Sequence, residues 1–136
     1  MPASFHLRAC AAALAIPAAG FPAAAQECCE AGSPFMPGEA YAETPATCET
    51  IGDWIERAPD TGGRVTMSIR GEIVDAQWDG TLAYLLMCEE PGVQVLCVTY
   101  SIEGRAVGDT VLFGGGYSRV GERQIMLDPC LATVEE

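Results

Sequence analysis

The chain has 136 residues, 49% of them hydrophobic, with 19 Asp and Glu against seven basic residues, all arginine, and a formal charge of −12. Nucleic-acid affinity comes largely from Lys and Arg neutralising phosphates, and anionic membrane surfaces attract the same side chains, so this Lys-free acidic chain is disfavoured for both. The one histidine, His6, falls in a segment that reads as removable, so the remainder has no Ser-His-Asp or Cys-His site and no imidazole metal ligand.

Residues 1–25 read as a secretory signal peptide: Arg8 supplies the positive region, residues 11–17 are small and apolar, and Ala23-Ala24-Ala25 is a small-residue cleavage pattern. The apolar run is too short and too Pro-interrupted to span a bilayer. Arg8, two residues before Cys10, and an apolar run that follows Cys10 argue against lipidation there. Cleavage before Gln26 removes Arg8, takes the charge from −12 to −13 and leaves 111 residues, enough for one small domain. The predicted location is the periplasm, with full secretion the alternative. In such an oxidising compartment thiols become disulfides. Six cysteines remain (Cys28, Cys29, Cys48, Cys88, Cys97 and Cys130), and spacing alone does not choose among their pairings.

Residues 26–44 are rich in Gly, Pro, Ala and Glu without an apolar period and read as a flexible acidic arm carrying Cys28-Cys29. Residues 45–63 read as a helix and linker. Thr44-Pro45 supplies an N-cap and a Pro at the first helical position, and a helix follows through Arg57. Cys48, Ile51 and Ile55 form its apolar stripe, and Ala58-Pro59 with Gly62-Gly63 ends it. From Arg64 the period becomes two: Val65, Met67, Ile69, Gly71 and Ile73 alternate with polar residues, as in a half-buried strand. Four more strands follow. Residues 81–88 come after an Asp79-Gly80 turn, and residues 93–100 after the turn at 89–92. Residues 109–117 come next, and residues 123–131 after a turn centred on Gly121, with 132–136 an acidic tail. Gly71 and Gly114-Gly115-Gly116 inside strands suit a small, sharply curved barrel. The predicted fold is mainly β, a five-stranded barrel with one N-terminal α-helix.

Four segments carry a family resemblance: Ile69-Arg70-Gly71-Glu72-Ile73, Val95-Leu96-Cys97-Val98, Val107-Gly108-Asp109-Thr110-Val111 and Ile125-Met126-Leu127-Asp128-Pro129-Cys130. Over residues 64–131 the chain resembles an OB-fold, and within it the tRNA-anticodon-domain-like group of small bacterial OB-folds. The resemblance implies a Greek-key barrel whose ligand lies across the second and third strands. It does not name the ligand, and the charge departs from that of a nucleic-acid reader. It also places the third and fifth strands side by side, so that Cys97 can bond Cys130. Cys48, on the helix stripe, points at the barrel, with Cys88 as a candidate partner that would staple the helix over one mouth. Counting back from the 89–92 turn sets Cys88 opposite Val93 and Cys97 opposite Tyr84, so a Cys88–Cys97 bridge would need a shifted register.

The expected role is a non-enzymatic binding module for a protein, small molecule or oligosaccharide, with no cofactor. Tyr84, Tyr100 and Trp78, with Tyr117, are candidates for an aromatic platform, and Arg119 and Arg123 for an anion grip. The alternative is cysteine-based redox or copper handling, with Cys28 and Cys29 binding Cu(I) beside Met36. There is no C-x-x-C motif. Asp75, Asp79 and Asp128 offer carboxylates for acid–base chemistry, but Asp79 suits a turn and Asp128 a strand end before Pro129.

Overall fold

The computed structural model describes residues 13–17, 20 and 29–135. The signal-peptide reading therefore falls largely outside the described residues, as does Cys28. Seven strands and one helix follow in chain order: β1 (Phe35–Pro37), β2 (Ala46–Thr47), α1 (Ile51–Glu56), β3 (Val65–Trp78), β4 (Ala83–Met87), β5 (Gln94–Thr99), β6 (Thr110–Gly121) and β7 (Gln124–Val134).

Strands β3 to β7 form a closed barrel in the order β3-β4-β5-β7-β6, with β6 returning to β3. Only β5 and β7 run parallel within it. The long β3 makes closure possible. Its first half, Thr66 to Glu72, pairs with β6, and its second half, Ile73 to Trp78, pairs with β4. The change of partner comes at a register shift between Ile73 and Asp75, where an extra residue bends the strand. Two residues earlier, a Cβ on Gly71 would lie 2.9 Å from the Met87 sulfur and 3.1 Å from Cys48 Sγ, so the bend brings β3 close to both.

The inward positions follow the alternation legible in the sequence. Met67, Ile69, Ile73, Leu85, Met87, Val95, Val111, Phe113, Ile125 and Leu127 are all essentially inaccessible. Helix α1 adds Ile51 and Ile55 to the same core, and Gly52 lies beside Val93 at the end where β4 turns into β5. Two disulfides lock this arrangement. Cys97–Cys130 joins β5 to β7 inside the core, and Cys48–Cys88 ties the segment before α1 to the end of β4, each with a Cα–Cα distance of 5.4 Å. Both pairings are those expected, and they are compatible with an oxidising compartment. Among the described residues no helix is long and apolar enough to cross a membrane.

Four expectations need correction. The helix is six residues long and does not begin at Pro45. Ala46 and Thr47 instead pair in parallel with Ile69 and Arg70 of β3. The Thr47 amide donates to Thr50 Oγ1 at 2.9 Å and the Thr50 amide to the Thr47 carbonyl at 3.1 Å, a local turn that postpones the helix. The arm at 26–44 contains a docked strand. Phe35 is 1% exposed and meets Tyr117 edge-on with centroids 5.1 Å apart, while Thr66 Oγ1 donates to the Gly38 carbonyl at 2.6 Å. The tail at 132–136 is mostly strand: Ala132 is buried, β7 runs to Val134, and Glu135 pairs with Arg70 at 2.5 Å. Finally, the β4–β5 register is offset by one residue from the count. Cys88 leaves the ladder with φ +71°, Cys97 lies opposite Leu85, and Tyr84 lies opposite Val98.

Arg105 holds the β5–β6 connection in place, a role its sequence context does not announce. Its Nε donates to the Ala132 carbonyl at 2.7 Å and its Nη1 to the Ser101 carbonyl at 3.1 Å.

Candidate functional site

Outward positions on β4, β5 and β7 alternate with the core residues. Tyr84 lies opposite Val98, and Leu86 lies opposite Leu96, which in turn lies opposite Met126. All but Val98 are partly exposed, so an apolar strip crosses three strands on the outside of the barrel. Trp78 (47% exposed) sits opposite Ala83 at one end of this strip, and Tyr100 (73% exposed) follows Thr99 at the same end. The three do not share one face: Trp78 pairs with the buried Ala83, Tyr84 with the exposed Gln77, and Tyr100 lines a groove with Tyr41 and Leu131. Tyr117 packs on Phe35.

Arg119 and Arg123 lie at the far end, beside the β6–β7 turn. Arg119 Nη2 pairs with Glu56 at 3.0 Å and donates to the Glu122 carbonyl at 2.7 Å. Arg123 donates to the Pro91 carbonyl, linking this turn to the one between β4 and β5. A cavity of about 420 Å3 lies between the two turns, lined by Glu90, Gln94, Glu122 and Arg123 among others. Its two carboxylates offset the guanidinium of Arg123, which weakens it as an anion grip.

Cys29 is disulfide-bonded and lines a cavity with Met36, so the soft-metal set reduces in the described residues to a bonded sulfur and a thioether. The three candidate carboxylates do not hydrogen-bond one another. Asp75 Oδ1 accepts from the Ala76 amide at 2.9 Å, and Asp79 organises its own hairpin. Asp79 Oδ1 accepts from the Leu82 and Thr81 amides at 2.7 and 2.8 Å, and Oδ2 accepts from the Tyr84 hydroxyl at 3.0 Å.

These bonds hold the Asp79 carboxyl below the usual carboxylate range, the Leu82 and Thr81 amides first and the Tyr84 hydroxyl after them. The same contact pushes the Tyr84 phenol upward, because ionising it removes the donated proton beside an anion. The signs are opposite in pH. Asp79's contribution to the hairpin is present above its unfolded pKa of about 3.9 and fades as pH falls through the lower folded value. Tyr84's is present below about 10 and fades as pH rises through the higher folded value. Asp79→Asn is expected to bring the Tyr84 titration, followed by ring-carbon NMR, back towards 10; an unchanged titration would mean that the bond is not formed in solution.

A second feature was not legible in the sequence. The segment after β1 sets the Cδ1–Cε1 edge of the Tyr41 ring against β6, where a Cβ on Gly114 would lie 2.2 Å from the ring. On the next outward position the Arg64 guanidinium covers Gly116, with Nη2 3.1 Å from where a Cβ would be. Between Tyr41 and Tyr100 runs a groove of about 380 Å3, floored by Gly115 and Gly116 and bounded by Pro129 and Leu131 of β7. Two of the three glycines read as a device for curvature therefore also line a groove. Comparison with protein-family models and with curated proteins finds no match for the chain.

Proposed function

We propose that the chain is an exported, non-enzymatic binding module on an OB-like barrel, taking its ligand across the outer faces of β4 and β5. The observation that carries this is the apolar ladder of Tyr84–Val98 and Leu86–Leu96–Met126 on the outward face of the barrel, partly exposed at all but Val98. Outward positions of a strand favour polar residues unless something covers them. The strand order supports the OB-like reading: β5 and β7 lie side by side in parallel and β6 closes on β3. The two disulfides support export.

A photo-crosslinking amino acid at Leu86 is expected to give a discrete adduct in cells that export the chain, whereas one at Val120, 55% exposed and off the ladder, gives none. Equal labelling from the two positions, or none from Leu86, would remove the strip as the site.

A further inference from the structure

We infer that the groove between Tyr41 and Tyr100 is a subsite for a short neutral oligosaccharide. It lies around the barrel from the β4–β5 ladder and does not depend on a ligand binding there. Four observations converge on it. Gly114 and Gly116 have no side chains and are buried, Gly114 under Tyr41 and Gly116 under Arg64 and the Asp128 carbonyl, so both flanking side chains are seated close against β6. Tyr41 is half exposed yet has one ring edge seated against Gly114. Tyr100 and Leu131 line the same groove and are 73% and 62% exposed among the described residues. Arg64 and Glu39 form an exposed pair, 3.9 Å apart, at its margin.

The pair decides among ligand chemistries. An anion is attracted by Arg64 but repelled by Glu39 and by a chain of charge −12. A cation meets the reverse conflict at Arg64. A hydroxyl both donates and accepts, so it satisfies a guanidinium and a carboxylate together. A pyranose combines such hydroxyls at its rim with an apolar C–H face that stacks on an aromatic ring. The groove's volume, about 380 Å3, is at the small end of ligand sites and suits a few sugar rings rather than a large ligand. A proline-rich peptide would use the tyrosines but would leave the Arg64–Glu39 pair idle.

The test is a titration of the chain, recovered from an oxidising compartment and 15N-labelled, with maltotetraose, cellotetraose and N-acetylchitotetraose at millimolar concentration. At least one is expected to shift the Gly114, Gly115, Gly116 and Leu131 amides saturably. Tyr41→Ala and Tyr100→Ala are each expected to weaken that binding by about tenfold, the size of one aromatic contact. Tyr100 is 73% exposed, so its variant keeps the test readable if loss of Tyr41 disturbs β6. The inference is overturned if no sugar gives saturable shifts, or if the shifts fall only on Leu86, Leu96 and Met126. It also fails if Tyr100→Ala binds as wild type, or if a decaproline peptide occupies the groove and the sugars do not. A result confined to the ladder would leave the β4–β5 reading standing while removing this one.

Discussion

Reduction is expected to unfold this protein. The bridges Cys48–Cys88 and Cys97–Cys130 close sequence separations of 40 and 33 residues. Loops of that size lose unfolded-state entropy equivalent to about 4 kcal/mol each when cross-linked. A small domain has only about 5–15 kcal/mol in all, so the two together are comparable to its whole stability. The bonds act on different parts. Cys97 and Cys130 are buried and join β5 to β7, the one parallel pairing in the barrel. Cys48–Cys88 holds the approach to α1 against the end of β4, where Cys88 has already left the ladder. The double variants Cys48→Ser/Cys88→Ser and Cys97→Ser/Cys130→Ser should each lose about 2–4 kcal/mol in denaturant titration. The first should keep barrel amides protected from hydrogen exchange while α1 loses protection; the second should weaken both. With both bonds removed, no cooperative transition is expected. A denaturant midpoint that is insensitive to reductant would show that the hydrophobic core suffices without them.

What the sequence made legible was local and periodic. The two-residue alternation from Val65 and the Asp79-Gly80 turn located the strands, and the six cysteines from Cys28 onward pointed to bridges. Failures came where a distant partner overruled a local signal. Thr44-Pro45 is a sound helix start by itself, but β3 takes Ala46 and Thr47 as a parallel neighbour first. Phe35 docks in a strand of three residues, too short to display any period. The β4–β5 register slipped by one because a count from the turn assumes that Cys88 is in the ladder. The predicted site split for the same reason. Trp78 and Tyr84 fall on opposite faces of the β3–β4 ladder and Tyr100 lines a groove with Tyr41, whereas Arg119 and Arg123 are drawn to Glu56 and Pro91. Tyr41 stood alone in a Pro- and Gly-rich segment, and nothing near it in sequence announces the glycine on which it rests.

Gly115→Ala should be among the most damaging single substitutions in the chain, although it adds only a methyl group. The backbone at Gly115 does not have positive φ, so alanine meets no intrinsic conformational penalty. The obstacle is space. A Cβ there would lie 2.4 Å from the Pro129 carbonyl oxygen and 2.9 Å from Cys130 Cα, and both are backbone atoms that cannot rotate away. The ladder between β6 and β7 shifts register between Gly115 and Tyr117, which brings the Pro129–Cys130 backbone against Gly115. Relief requires β7 to move, and Cys130 is anchored to Cys97. The expected loss is about 3 kcal/mol, at the upper end for overpacking. Gly52→Ala makes the contrast. It lies within α1, where the nearest atom to an added Cβ is Val93 Cγ2 at 4.0 Å, so it should gain up to about 1 kcal/mol from helix propensity. Opposite shifts of the two denaturant midpoints are the expected result. If Gly115→Ala is as stable as wild type, β7 does not press on β6 there.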